Sequence, residues 1–240
     1  LKIAGIYLAI QQGFALYWLL KHSNRVPQRV ASYRMKATAG KQQCNITEHD
    51  TYVIEHSLIN GMERIVYKPH NPQFDTPILM QHGMWHGAWC WSYWQQLLAE
   101  WGWETHAYSL PGHAGSQAQR PLWLCTLDYY LAFLKAEVDR MPRPPILMGH
   151  SMGGAIIQWY LKYIDQDVPA VVLVAPWVSH SSMLEGTALI LKHDPLAMLL
   201  TVLQWNANSW VRSPKWAAQK LISDGAMLSP EALHKQLTGE

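Results

Sequence analysis

Ile146-Leu147-Met148-Gly149-His150-Ser151-Met152-Gly153-Gly154 is the stretch that decides the fold. Its three leading apolar residues read as a short strand, and Met152 to Ile164 reads as a helix. Between them stands a serine with glycine two residues away on either side. A Gly-x-Ser-x-Gly pattern is weak by itself, because glycine is common. A strand directly before it and a helix directly after it make it the setting of a nucleophile elbow. There the serine occupies a sharp turn and its hydroxyl projects from the sheet edge. The residues two before and two after must be small, since strand and helix nearly collide. The helix N-terminus favours the negative charge that develops in acyl transfer. Ser151 is therefore the candidate nucleophile.

Upstream, Gln81-His82-Gly83-Met84 follows the short apolar strand Pro77 to Gln81. Acyl transfer needs two N–H donors aimed at one oxyanion. Met152, the residue after the nucleophile, supplies one, and Met84, in the loop after the upstream strand, supplies the other. His82, Gly83, Trp85 and His150 are the remaining candidates for shaping this loop and the substrate site. His82 is read as holding the loop by hydrogen bonds, not as the general base.

The surrounding pattern is that of an α/β fold. Thr51 to Leu58 and Met62 to Lys68 are strands joined by the hairpin signal Asn60-Gly61. Trp89 to Glu100 is a helix, Glu104 to Ser109 a strand, and Leu124 to Arg140 an amphipathic helix. Ala170 to Ala175 is a fully apolar strand that calls for cover on both faces. Strand-helix alternation after a hairpin predicts a largely parallel sheet. From Val178 the alternation stops. Leu189 to Trp205, Ser213 to Ser223 and Ser229 to Leu237 read as helices, the last two opened by Ser-Pro. The implied organisation is an N-terminal apolar helix and basic linker at 1–40, an α/β core at 41–177 and a helical cap at 178–240.

Three motifs occur in order: His82-Gly83-Met84-Trp85-His86-Gly87-Ala88-Trp89-Cys90-Trp91, then Leu110-Pro111-Gly112-His113-Ala114-Gly115-Ser116, then Gly149 to Gly154. Together they resemble the successive motifs of the α/β-hydrolase superfamily, in its small serine esterase and lipase branch, over about Tyr52 to Pro176. The resemblance implies a mostly parallel sheet of eight strands with helices on both faces, a helical cap after the sixth strand, and a Ser-His-Asp triad without cofactor or metal. Ser109 stands where such proteins often have Asp, and Ala114 where they often have Gly. Neither position is normally catalytic. The triad order Ser, acid, His places the last two after the seventh and eighth strands. No strand followed by an Asp loop is legible after Ala175, so the last strands, the acid and the base are expected beyond residue 240. His180, His193 and His234 are poor substitutes, and His193-Asp194 reads as solvent-facing.

The implied activity is hydrolysis of carboxylic esters through an acyl-enzyme, with Leu, Met and Trp of the cap pointing to a lipophilic small-molecule substrate. Thioester hydrolysis, C–C hydrolysis, cyanohydrin cleavage and a non-catalytic ligand-binding homologue stay open beside it.

Bulk properties add limits. The chain has 240 residues, 49% of them hydrophobic and 15% charged, with a formal net charge of +2, so no strong field points to nucleic acid. Cys44, Cys90 and Cys125 make neither a disulfide framework nor a zinc-ligand spacing. Asn45-Ile46-Thr47 matches a glycosylation sequon. Among 13 tryptophans, Trp85, Trp89, Trp91, Trp94, Trp101 and Trp103 crowd one region and read as core packing, with one or two left to line an apolar pocket. Ile3 to Leu20 is almost wholly apolar, broken by Gln11 and Gln12, and Lys21, Arg25, Arg29, Arg34 and Lys36 follow it. A membrane span with the domain on the cytoplasmic side and a helix lying on the domain or in the interface both fit it.

Overall fold

The computed structural model describes residues 25–34, 42–177, 188, 191–204 and 207–238. The apolar segment Ile3 to Leu20 and His180 lie outside the described residues. Among the described residues no helix is long and apolar enough to cross a membrane. The described chain forms two compact units, divided near residues 29/30 and 178/179.

The larger unit is built on one seven-stranded sheet. Its strands are β1 (Gln43–Glu48), β2 (Tyr52–Ile59), β3 (Met62–Pro69), β4 (Ile78–Gln81), β5 (Thr105–Tyr108), β6 (Ile146–His150) and β7 (Val171–Val174). They lie in the order β1-β2-β3-β5-β4-β6-β7. β1, β2, β3 and β5 pair antiparallel in succession, while β5, β4, β6 and β7 run parallel. The division at residues 29/30 falls within α1 (Val26–Ser32), and the other helices of this unit are α2 (Ser92–Glu100), α3 (Leu127–Arg140) and α4 (Met152–Tyr163). The expected helix from Trp89 begins instead as a 3-10 turn, Ala88–Trp91, before α2.

The hairpin forms as its turn residues require. Ile59 faces Met62, and Asn60 and Gly61 take φ of +53° and +75°. Both lie in the left-handed region that a two-residue type I′ turn needs. In the core, Ala88 and Trp91 pack on Ile78, Met80, Ala107 and Met148, which covers one face of the parallel strands. Leu79 and Leu147, which alternate with those residues, are also buried. The parallel centre is therefore apolar on both faces. Not every clustered tryptophan joins this core, since Trp94 and Trp101 are exposed.

Two strands depart from expectation. β1 was not legible, because all six of its residues are exposed and no buried face imposes an apolar alternation. It carries the Asn45-Ile46-Thr47 sequon. The expected two-sided cover of Ala170 to Ala175 is absent at its centre, where Val172 is 42% and Leu173 38% exposed. The reason is position: among the described residues β7 pairs only with β6 and stands at the sheet edge.

The sheet also fixes where a ligand can sit. The chain leaves β4 toward β5 on one side and leaves β6 toward β7 on the other. The loops after β4 and β6 thus diverge between neighbouring parallel strands. In open α/β sheets this switch point, outside the carboxyl ends of the strands, is the ligand crevice.

The smaller unit contains α5 (Pro195–Gln204), a 3-10 turn at Asn208–Val211, α6 (Pro214–Leu221) and α7 (Pro230–Gln236). Ser213 and Ser229 cap α6 and α7 by accepting the amides of Trp216 and Ala232. The long helix expected from Leu189 is interrupted before Pro195. Asp194 caps α5 by accepting the Ala197 amide at 3.1 Å, and Pro195, which has no N–H to leave unpaired, opens it. The solvent-facing reading of Asp194 is corrected: its side chain is 2% exposed and binds Arg212 at 2.8 Å and Lys220 at 3.0 Å. These two cations hold its carboxyl down at about 2. Leu196, Leu199 and Leu203 stand exposed on α5, opposite buried Ala197 and Met198.

Candidate active site

Ser151 directly follows β6 and caps α4, with φ of +52° and ψ of −118°. A left-handed φ strains any residue with a Cβ. The strain persists because both backbone groups of Ser151 are tied. Its N–H donates to the Val174 carbonyl at 3.1 Å, and its carbonyl accepts from Trp177 at 2.9 Å and Ala155 at 3.2 Å. The turn after β7, with Ala175 itself at φ +40°, thus clamps the elbow. This clamp was invisible in the sequence, since β7 and the elbow are brought together only by parallel pairing.

The glycines of the elbow answer to contact. A Cβ on Gly153 would stand 2.3 Å from the Gln81 carbonyl oxygen, and one on Gly149 would stand 2.8 Å from the Gly153 backbone. A Cβ on Gly83 would meet the Ser151 Cβ at 2.9 Å and His150 Nδ1 at 3.1 Å. The loop after β4 therefore runs directly against Ser151. Met84 and Trp85 are the central residues of a turn closed from the His86 amide to the Gly83 carbonyl at 3.4 Å. Trp85 is buried and takes φ +60° there, a conformation normally left to glycine or asparagine. Met152 is the first residue of α4, so its N–H has no partner within the helix. Met84 and Met152 thus stand on the two chain segments that flank Ser151.

Three histidines line this turn, and burial keeps them toward the neutral form. His82 is fully buried. Its Nδ1 donates to the Gly83 carbonyl at 2.7 Å, and its Nε2 accepts the Leu110 amide at 2.9 Å. Both ring nitrogens are committed, so the ring is a neutral post for the loop. Burial, then the nearby His113 ring, push its pKa well below the usual value. His86 donates from Nδ1 to the Met84 carbonyl at 2.6 Å and stacks on Trp89. Burial lowers its pKa to about 4. His150 meets His86 edge-on at 5.8 Å, and burial lowers its pKa too. A general base must become an imidazolium during attack, which these surroundings disfavour. Two of the poor substitutes lie in the smaller unit, where His193 is exposed and His234 half-buried on α7.

Strain marks the same region from a second direction. Five non-glycine residues among those described have positive φ: Asn60, Trp85, Ala114, Ser151 and Ala175. Asn60 serves the hairpin turn. The other four follow β4, β5, β6 and β7 in turn, all at the carboxyl ends of the parallel strands. Such strain persists where surrounding structure imposes it, and it gathers at functional sites. A groove of about 410 Å³ lined by Asp50, His70, Glu100 and Trp101 lies at the opposite, amino ends and has none of these features. Among the described residues no group of three or more His, Cys, Asp or Glu is placed to hold a metal ion.

No curated protein matches the chain. Solved structures that resemble it include a Paleococcus ferrophilus monoacylglycerol lipase, at 20% identity and a TM-score of 0.40, over 56% of this chain and 52% of that one. The thioesterase domain from the curacin biosynthetic pathway aligns at 18% identity and a TM-score of 0.43, over 62% and 51%. A hydrolase from Pseudomonas aeruginosa PA01 aligns at 16% identity and a TM-score of 0.48, over 84% and 68%. The chain spans about half the length of the first two, 52% and 51%. Residues 78–237 match the alpha/beta hydrolase family. That span begins with β4 and holds both its loop and the β6 elbow, and the chain belongs to the alpha/beta hydrolase family.

Proposed function

We propose that this protein hydrolyses carboxylic esters of lipophilic small molecules through an acyl-enzyme on Ser151. One observation carries the reading: a serine held at φ +52° at the head of α4, with a glycine loop pressed on its Cβ. Its Oγ attacks the ester carbon and the carbonyl oxygen becomes an oxyanion. The Met84 and Met152 N–H groups, with the N-terminal dipole of α4, stabilise that charge. The alcohol leaves, and water then releases the acid from Ser151. His82 and Gly83 shape the loop, while Trp85 and His150 border the approach. The proton on Oγ passes to a base other than His82, His86 and His150, whose buried rings resist protonation. The apolar α5 and its exposed leucines support a lipophilic substrate and a membrane surface as the place where it is met.

A fluorophosphonate probe tests the reading on the full-length protein. Covalent label mapped to Ser151, lost in Ser151→Ala, is the expected result. A folded full-length protein that takes no label at Ser151 sinks it. A panel of p-nitrophenyl esters of rising acyl length tests the lipophilic part, and equal rates for short and long chains count against it.

A further inference from the structure

We propose that Glu63 is a positioning residue for the oxyanion loop, acting through Ser109; the catalytic part of this inference rests on the function proposed above. Glu63 lies on β3, outside all three motifs, and its side chain is 12% exposed. Its Oε2 accepts the Ser109 hydroxyl at 2.6 Å and the Gly115 amide at 3.1 Å, and its Oε1 meets His56 Nε2 at 2.9 Å. The backbone is laced to the same segment. Ser109 N–H donates to the Glu63 carbonyl at 3.1 Å, and Glu63 N–H donates to Ser116 Oγ at 2.9 Å. Ser116 Oγ donates in turn to the Ser109 carbonyl at 2.6 Å.

The consequence falls on Ala88. Its N–H donates to Ser109 Oγ at 2.8 Å. A hydroxyl has one proton. With that proton given to Glu63, the lone pairs of Ser109 face Ala88, and the charged acceptor strengthens the chain of bonds. Ala88 closes the loop that carries Met84, and His82 opens it. His82 is held by the Leu110 amide at 2.9 Å. Both ends of the loop are therefore pinned to residues 109 and 110, and Glu63 fixes the 109 end. Close packing leaves little slack: a Cβ on Gly87 would stand 3.0 Å from Ser109 Oγ, and one on Gly115 2.6 Å from Glu63 Oε1.

The experiment compares wild type, Glu63→Gln, Ser109→Ala and the double variant Glu63→Gln/Ser109→Asp, all as full-length chains. Two readouts are taken: amide hydrogen exchange across 83–91, and the maximal and half-saturating terms of fluorophosphonate labelling at Ser151. Each single variant is expected to speed exchange at Ala88 and lower the maximal labelling rate about tenfold at unchanged half-saturation. That is less than the hundredfold or more that loss of an oxyanion donor itself costs. Asp at 109 returns a carboxylate to the Ala88 amide and is expected to recover most of the rate. Unchanged exchange at 83–91 in both single variants overturns the positioning role, as does unchanged labelling in variants that only melt earlier. Faster exchange in a protein whose wild type takes no label supports the positioning and removes the esterase reading instead. If Glu63→Gln fails to fold, Ser109→Ala carries the same test.

Discussion

The hairpin turn at Asn60-Gly61 and the elbow at Ser151 both need a left-handed φ, and they obtain it in opposite ways. At the hairpin the residues accept that conformation by nature, so a local signal suffices, although the Gly61 carbonyl also accepts the Gln117 amide at 2.8 Å. At the elbow a serine is forced into it, by a hydrogen bond donated to the Val174 carbonyl, one accepted from the Trp177 amide, and the helix that follows. The same holds in lesser degree for Ala114 and Ala175, whose φ of +44° and +40° glycine would adopt freely. A relaxed turn shapes the fold; a strained one is maintained by its surroundings to present a side chain. Ala114 also shows what the departure from the family pattern entails: the position asks for a glycine conformation, and alanine bears it.

The elbow is most sensitive to a single change at Gly153. Gly153→Ala sets a Cβ against two carbonyls of the β4 end and is expected to cost about 3 kcal/mol, the upper range for overpacking. Urea unfolding reads the loss, and labelling at Ser151 should fall with it. A cost below 1 kcal/mol would mean that strand and helix have room to part, contrary to the contact at 2.3 Å.

Acid is the next lever, and it acts on the elbow side. His86 has its pKa lowered from 6.5 to about 4, so the unfolded chain binds a proton in that window that the folded chain refuses. Its contribution is complete above about pH 6.5, declines as pH falls toward 4 and is flat below. The gap is worth about 3 kcal/mol, and His82 works in the same direction. Urea midpoints at pH 7 and pH 4 should differ accordingly, and His86→Asn should flatten that dependence. A stability that rises on acidification over this range contradicts the burial of these rings.

The smallest effects separate the two turns most cleanly. Ala175→Gly relieves a left-handed alanine and should stabilise by about 1 kcal/mol, whereas Gly61→Ala imposes one and should destabilise by about 1 kcal/mol. Thermal midpoints measure both. Gly61→Ala is expected to leave labelling at Ser151 unchanged, since the hairpin turn presents no side chain to the site.

What could be read from the chain divides along the same line. The hairpin, the elbow and the Ser-Pro helix caps rest on residues adjacent in sequence, and local chemistry suffices to recognise them. Asp194 misled because its neighbours His193 and Lys192 are polar and exposed, while its partners Arg212 and Lys220 lie 18 and 26 residues away. β1 gave no signal because an edge strand exposed throughout has no buried face to impose alternation.

The strand-turn-helix elbow at Ser151, His82 as a loop post, and a sheet of alternating strands and helices were legible in the chain itself, through glycine spacing, turn residues and apolar period. What holds the serine in its strained turn, which carboxylate steadies the loop beside it, and where the crevice opens are settled only once the chain is folded. Those depend on contacts between segments such as Glu63 with Ser109 and Ser151 with Val174. Such pairs meet because strands register side by side, and no local pattern records which distant residue a strand will bring alongside.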